Sequence, residues 1–308
     1  MDFLIALSSV MTLIVIGFVL RKTAFLPDAA WSGIEKLTYY ILFPSLLIYT
    51  LSRQNLQGSD WQAMLLVIVG TLLLAATLLV LWHLLSGSDS DATFTSVFQG
   101  GVRFNTYIAL AVAQGLYGAA GLAIGSIAVG FMVVLINIAC VSVFVIWGNS
   151  AARNVRAFVR ELLINPLIIA CLIGWGLGLS GIGLPGLSAD ILEIIGRAAL
   201  PLGLLAVGAA LRLDMIKGHS GAIVKSSLVQ FVIKPAMAAI LIHYSGLHGV
   251  AAVVLILVFM TPTAPSAYIL ARQLGGDTET MASIITVQTI MAFLLMPVIA
   301  KLLFPLFS

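Results

Sequence analysis

Apolar stretches long enough to cross a lipid bilayer follow one another along almost the whole chain, with short polar breaks between them. A helix needs about 20 residues to cross the ~30 Å hydrocarbon core. Helices are the expected spans because they satisfy their backbone hydrogen bonds within the segment. The sequence therefore predicts an all-α membrane protein with ten transmembrane helices, at residues 3–20, 37–52, 62–85, 92–113, 119–147, 162–180, 191–211, 226–245, 249–271 and 280–304.

The composition excludes most other classes of protein. Hydrophobic residues make up 61% of the 308 residues and charged residues only 9%, with a mean hydropathy of +1.15, whereas soluble domains carry roughly 25% charged residues. The net charge is +3 and the basic residues are scattered, so a nucleic-acid partner is not expected. Cys140 and Cys171 lie in apolar runs without metal-ligand spacing, so neither a metal nor a cofactor is predicted.

The positions of lysine and arginine predict the orientation, because cytoplasmic loops retain positive charge during insertion. Ten crossings would place both termini on one side of the membrane. With the termini outside, only Arg53 and Lys301 fall in outer loops. The inner loops then hold ten basic residues, which are Arg21, Lys22, Lys36, Arg153, Arg156, Arg160, Arg212, Lys217, Lys225 and Arg272.

Internal repetition divides the chain into two similar halves. Several dipeptides of the first half recur roughly 160 residues further on, as expected for a duplicated unit. These pairs are Leu26-Pro27 and Leu184-Pro185, Phe43-Pro44 and Leu200-Pro201, and Tyr107-Ile108 and Tyr268-Ile269. We interpret residues 1–150 as one five-helix repeat, 151–160 as a cytoplasmic linker and 161–308 as a second repeat. Because five is odd, the second repeat is inverted in the membrane, which is an architecture of alternating access.

Matching interruptions in the fourth and ninth spans predict the substrate site, because broken helices meet near the midplane in inverted-repeat transporters. Gly100 and Gly101 loosen the fourth span, and Pro262 and Pro265 remove amide donors from the ninth. Pro44 and Pro201 mark further helix breaks in the second and seventh spans. As an alternative, prolines and glycines can act only as kinks and close-packing points in membrane helices.

Charges within the membrane indicate the kind of substrate. Arg103 and Lys234 lie roughly 13 to 15 Å deep at the helical rise, while all twelve acidic residues fall in loops or near helix ends. A small organic anion, most simply a carboxylate, is therefore the expected substrate. The predicted binding residues are Asn105, Arg103, Gln99, Thr106, Thr263, Pro265, Ser266 and Lys234. Lys234 has an alternative role, which is to bind carbonyl groups freed by the kink at Pro235 or by the broken helices.

Two other functions stay open at this point. Gly178-Leu179-Ser180-Gly181 has the form used by intramembrane serine proteases, although it lies in a glycine-rich turn where the sixth span ends. A sensor that binds a ligand without moving it is the other alternative. The acids and histidines that a proton relay would need all fall in loops or near the ends of the predicted spans. Sodium could still bind carbonyls at the breaks.

Several short segments together resemble the auxin efflux carrier family of membrane transporters. They cover the whole chain and are Tyr40–Leu47 with Pro44, Gln99–Ile108 with Asn105, Tyr117-Gly118, Asn165-Pro166, Leu200-Pro201-Leu202, Lys234-Pro235 and Thr261–Tyr268. The resemblance implies ten helices in two inverted five-helix repeats, with broken helices 4 and 9 crossing at the substrate site, and it implies homodimers.

In plant members of that family, asparagines beside the crossing engage the substrate carboxylate. Asn105 matches the first of these, whereas the second position reads Pro265-Ser266, so the resemblance implies a carboxylate site but not auxin itself. The long hydrophilic central loop of plant members is missing, which is similar to a bacterial inner-membrane member. A sodium-coupled organic-anion symporter of the bile-acid type is the alternative transporter.

Overall fold

The computed structural model describes residues 3–54, 60–87, 89–148, 163–216 and 218–307, and within these ranges the chain forms helices and turns without β-strands. The α-helices are α1 Phe3–Lys22, α2 Asp28–Leu37, α3 Phe43–Ser52, α4 Trp61–Ser86, α5 Asp91–Val102, α6 Thr106–Trp147, α7 Pro166–Leu179, α8 Ser188–Arg197, α9 Ala199–Ala209, α10 Ser220–Leu228, α11 Lys234–Ser245, α12 Gly249–Phe259, α13 Ser266–Leu274 and α14 Thr278–Leu303. Two π-helices, Thr38–Leu42 and Val229–Ile233, and two 3₁₀ turns, Leu213–Met215 and Phe304–Leu306, complete them.

Six helical segments of the described chain are long and apolar enough to cross a membrane. They are Phe3–Lys22, Trp61–Ser86, Asp91–Trp147, Ser188–Ala209, Ser220–Ser245 and Thr278–Leu306, and two shorter apolar helices are Pro166–Leu179 and Gly249–Phe259. The prediction of an all-α chain with membrane-length apolar helices is thereby confirmed.

Two prolines predicted to break helices lie within helical structure instead. Pro44 follows the π-helix Thr38–Leu42 directly and lies in the first turn of α3, so α2, the π-helix and α3 form one continuous rod. A proline has no N–H for the usual helical bond, and the wider π turn accommodates that loss. Pro201 lies in the first turn of α9, and one residue, Ala198, separates α9 from the end of α8. Each proline therefore lies just after an irregularity of its span, with helical backbone on both sides, and not in an extended break like those of the fourth and ninth spans.

Gly118 turns the chain back within α6. Its φ of 58° and ψ of −137° lie in a region that glycine adopts readily. A Cβ atom on Gly121 would lie 2.1 Å from the carbonyl oxygen of Ala113, and one on Gly125 would lie 2.7 Å from the Leu110 side chain. Because the contacts pair rising with falling residue numbers, residues 106–117 and 119–147 pack antiparallel.

The helices pack in two groups that both draw on each predicted half of the chain. In the first group α1 packs mainly on α9, and α3 packs on α7 and α8. In the second group α4 packs on α11, α5 on α10, α6 on α12, and α14 on α5 and α10. The segments 1–150 and 161–308 therefore interleave, and the predicted linker 151–160 lies outside the described residues.

Glycines allow the backbones of α1 and α9 to touch. A Cβ atom on Gly208 would lie 1.8 Å from the carbonyl oxygen of Ile14, and one on Gly17 would lie 2.0 Å from that of Leu205. Small residues at such contacts favour helix association in lipid, where burial of apolar surface gives no driving force.

Contacts between helix ends show which ends share one side of the bundle. The rings of Phe3 and Phe304 are 5.5 Å apart, so α1 begins where α14 ends. At the opposite side the Arg21 guanidinium donates to the Ala209 carbonyl at 2.6 Å, at the ends of α1 and α9. There also the Lys225 ammonium donates to the Asp89 carboxylate at 2.7 Å, joining α10 to the loop before α5.

Candidate functional site

The first helix break lies between α5 and α6. The backbone of Arg103 and Asn105 is extended, with ψ angles of 164° and 104°, and α6 begins at Thr106. Asn105 is the N-cap of α6, and its Oδ1 atom accepts a hydrogen bond from the Ile108 N–H at 3.1 Å. The interruption predicted in the fourth span is therefore present, three residues long.

Gly100 and Gly101 lie in the last turn of α5 rather than in the break, which corrects their predicted role. A Cβ atom on Gly100 would lie 2.7 Å from the Ile284 side chain and 2.8 Å from that of Ser226, and one on Gly101 would lie 2.8 Å from Leu79. These glycines let neighbouring helices approach the break closely, which is the alternative considered for them.

The second break separates α12, which ends at Phe259, from α13, which begins at Ser266. Pro262 and Pro265 lie in it and lack backbone N–H groups. The Gln230 side-chain amide donates to the Thr261 carbonyl, and the Thr263 N–H donates to Gln288 Oε1 at 3.0 Å. Side chains of neighbouring helices thus satisfy the backbone groups that the break exposes, as a low-dielectric interior requires.

The two breaks lie against each other. Gln99 Nε2 donates to the Ala267 carbonyl at 3.3 Å, and the Thr263 hydroxyl donates to the Gly100 carbonyl at 2.9 Å. As the residue number rises from 99 to 100 in the first segment, its partner number falls from 267 to 263 in the second. The broken segments therefore pass one another in opposite directions.

Lys234 is fully buried beside the first break. Its ammonium group donates to Gln230 Oε1 at 2.6 Å, to the Arg103 carbonyl at 3.2 Å and to the Val102 carbonyl at 3.3 Å. An ammonium has three donors, and these three acceptors use them. A cation at the carbonyl end of α5 also matches the helix dipole. Lys234 therefore occupies the alternative role, that of binding carbonyls freed by the break.

Arg103 is a buried cation with a different environment. Its Nη2 atom donates to Asn137 Oδ1 at 3.1 Å, while its buried Nε atom has no hydrogen-bond partner among the described residues. Within the described ranges the guanidinium forms no ion pair. A buried charge without a counter-charge is costly, so this group is suited to receive an anion. Arg197, by contrast, pairs with Glu193 on α8.

Further polar groups at the breaks are buried and unpaired. Asn105 Nδ2 and Gln99 Oε1 have no hydrogen-bond partner in the part of the chain that the structure describes. Thr106 and Pro265 are half-buried and Ser266 is exposed. These three residues lie at the N-terminal ends of α6 and α13. Helix N-terminal turns present unbonded N–H groups and partial positive charge, which together favour anions.

Sequence reasoning missed three polar residues of this site. Gln230 and Gln288 connect the two breaks, and Asn137 holds the Arg103 guanidinium. Each of these residues is an amide side chain within an otherwise apolar span. Because burying a polar group in a membrane is unfavourable and such groups are often functional, this pattern could have identified them from the sequence.

Other candidate chemistry is not assembled in the described part of the chain. It contains no group of three or more His, Cys, Asp or Glu residues that could hold a metal ion. The Ser180 hydroxyl donates to the Leu177 carbonyl at 3.1 Å in the exposed turn after α7, which is the behaviour of a turn residue.

Membrane-length helices packed around two facing breaks are the architecture of a membrane transporter. Residues 2–300 match the family model described as Membrane transport protein, and the chain belongs to this family, the auxin efflux carrier family. An uncharacterized transporter of Methanothermobacter thermautotrophicus is 23% identical over 290 residues, which cover 94% of each chain. The resemblance seen in the sequence motifs is thereby confirmed.

Proposed function

We propose that this protein is a secondary transporter that moves a small organic anion, most simply a mono- or dicarboxylate, by alternating access. The observation that carries the proposal is the Arg103 guanidinium, which is buried at the first break and forms no ion pair with a described residue. A substrate carboxylate would supply the missing counter-charge and could accept two of its N–H donors.

The surroundings of Arg103 also favour an anion. The unpaired Asn105 amide donor lies at the N-terminal end of α6, and the N-terminal end of α13 faces the same crossing through the contact between Gln99 and Ala267. Each of these ends carries partial positive charge. A cationic substrate would be repelled there by the Arg103 guanidinium and by the partial positive charge at the N-terminal ends of α6 and α13.

The proposed architecture is ten helices in two inverted five-helix repeats, with helices 4 and 9 crossing at their breaks. The opposite direction of the two broken segments supports it. We propose both termini outside, because the end of the bundle opposite Phe3 and Phe304 carries Arg21 and Lys225. We also propose a bacterial inner membrane and a homodimeric assembly, on the basis of the family resemblance.

Sodium coupling, as in the bile-acid type of symporter, is less well supported. Sodium would need the backbone carbonyls at the breaks, and the Lys234 ammonium already binds those of Val102 and Arg103. We therefore expect uptake to continue when external sodium is replaced by N-methylglucamine. Loss of uptake in that exchange would favour the sodium symporter.

Transport is also favoured over the two remaining alternatives, because the family consists of transporters. An intramembrane hydrolase would need Ser180 activated by a histidine, whereas the Ser180 hydroxyl bonds its own turn. A sensor would bind carboxylates without moving them.

The test is uptake into proteoliposomes. A thermal-shift screen against mono- and dicarboxylates first identifies ligands, since compounds that bind only the folded state raise its stability. Uptake of the selected compound is then measured for the wild type and Arg103→Gln. Arg272→Gln, which changes an exposed arginine at the end of α13, is the matched control. We expect Arg103→Gln alone to abolish uptake, and wild-type uptake by this variant would refute the anion site.

A further inference from the structure

Gly100 contributes a carbonyl group that the first break deprives of its helical partner. The backbone becomes extended at Arg103, so the next turn of helix that would bond this oxygen is missing. The position is buried, and an unpaired carbonyl in such a place is unfavourable. Other donors must therefore reach it.

Two donors reach the Gly100 oxygen from separate elements. The Thr263 hydroxyl donates from the second break at 2.9 Å, and Gln288 Nε2 donates from α14 at 2.9 Å. A carbonyl oxygen has two lone pairs, so both bonds can form together. Both side chains are fully buried.

Gln288 also forms a hydrogen bond with Thr263, the other donor to Gly100. Its Oε1 atom accepts the Thr263 N–H at 3.0 Å, so Gly100, Thr263 and Gln288 form a closed ring of three hydrogen bonds. Thr263 is thereby fixed through both its backbone and its hydroxyl. Its position sets that of Ser266, the first residue of α13, three residues further along the chain.

A second connection repeats this arrangement on the other side of Pro262. Gln230 donates to the Thr261 carbonyl and accepts from Lys234, whose ammonium reaches the Val102 and Arg103 carbonyls. The residues on both sides of Pro262 are thus tied to the end of α5. The positions of the two helix N-termini relative to each other are fixed by side chains rather than by the broken backbone.

We propose that Thr263 and Gln288 are positioning residues, an inference that rests on the proposed function. Together they form a two-donor clamp on the Gly100 carbonyl, and the clamp holds both breaks in the arrangement that the anion requires. The clamp touches no substrate. It acts by preorganising the N-terminal ends of α6 and α13, since groups fixed in advance need not be ordered on binding.

The donors of Thr263 and Gln288 are partly redundant, so the clamp predicts a specific pattern of effects in single and double variants. Thr263→Val removes the hydroxyl at nearly constant volume and leaves Gln288 on Gly100. Gln288→Met removes both of its bonds and leaves the Thr263 hydroxyl. Only the double variant leaves the carbonyl without a donor, so the effects of the two changes are expected to be more than additive.

The first measurement is the kinetics of carboxylate uptake in proteoliposomes. We expect Thr263→Val to raise KM less than about threefold and the double variant to raise it about tenfold, a change of about 1.4 kcal/mol in binding. Vmax should stay within about twofold of the wild type, because a positioning change acts on binding. Thr289→Val is the matched control, since this buried hydroxyl donates to the Ile285 carbonyl of its own helix and bonds no other described residue.

The second measurement needs no substrate. Hydrogen exchange is compared across residues 99–106, 260–267 and the distant helix Phe3–Lys22. The clamp predicts faster hydrogen exchange in both breaks of Gln288→Met, with exchange in α1 unchanged. If Gln288→Met does not fold, the same result is expected for Gln288→Glu. Faster exchange in all three segments, or wild-type exchange and KM in the double variant, overturns it. If the breaks loosen as predicted but the wild type moves no carboxylate, the clamp stands and the proposed function fails.

Discussion

The ammonium group of Lys234 lies 3.2 Å from the carbonyl oxygen of Arg103. Lys234 thus caps the C-terminal end of α5, and Arg103 is the residue that follows this end. Lys234 uses its donors on protein acceptors, whereas Arg103 retains an unpaired Nε atom. Two cations that look equivalent in the sequence therefore have different roles. One stabilises the break, and the other is available to a ligand.

We expect Lys234→Met to destabilise the protein rather than to affect only substrate binding. The change leaves two buried carbonyls and Gln230 Oε1 without their donor, and each such loss costs about 1–3 kcal/mol. Thermal unfolding in detergent should show a clearly lower Tm. Lys301→Met, at an exposed position near the end of α14, should not. A variant with wild-type Tm but no anion binding would make Lys234 a ligand instead.

Substitutions at Asn105 separate helix capping from substrate binding. Asn105→Ser keeps an oxygen that can cap α6 but removes the unpaired Nδ2 donor, so we expect a near-normal Tm with greatly reduced uptake. Asn105→Ala should lose uptake and also about 0.5–2 kcal/mol of stability. Asn165→Ala removes the corresponding cap of α7 and should lower stability alone. Full uptake by Asn105→Ser would exclude the Nδ2 atom from the site.

The contact between α1 and α9 should not tolerate a methyl group at Gly208. A Cβ atom there would lie 1.8 Å from the Ile14 carbonyl oxygen, so the helix backbones would have to separate. We expect Gly208→Ala to cost at least about 3 kcal/mol or to prevent folding. Gly221→Ala on α10, where nothing lies within 4 Å of the added atom, is the control. Size-exclusion profiles and Tm values of both variants provide the measurement.

Asp277 should make stability depend on pH at acidic values. Burial acts to raise the pKa of its carboxyl group, but hydrogen bonds from Thr280 and Thr93 together hold it below the ordinary value of 3.8. A depressed pKa stabilises the folded state above the unfolded pKa, and that stabilisation is lost as the pH falls through the folded pKa.

The Tm difference between the wild type and Asp277→Asn should therefore be constant from neutral pH down to about 5 and should shrink below about 4. Asp60→Asn, an exposed residue whose side chain caps nothing in α4, should show no comparable difference. A gap for Asp277→Asn that persists unchanged at the lowest pH would contradict the role of its charge.

The apolar helices and the two main interruptions were predictable because they depend on local properties. Apolar run length identifies spans, and Pro262 and Pro265 exclude regular helix wherever they fall. The same local reasoning placed Gly100 and Gly101 in a break, whereas they lie in the last turn of α5. It also did not show that Pro44 and Pro201 lie in the first turns of α3 and α9. Glycine and proline each have a second use, in close packing and in π turns, and only the neighbouring helices decide between the uses.

The sequence by itself determined that this chain lies in a membrane, where its spans are interrupted, and that the buried charges it carries are positive. Only the tertiary structure decided which groups meet. Gln288 lies 188 positions from Gly100, and Lys234 lies 131 positions from Arg103. Backbone groups freed by a break bond whichever donors the packing brings near, and packing across such separations leaves no periodic pattern in the chain.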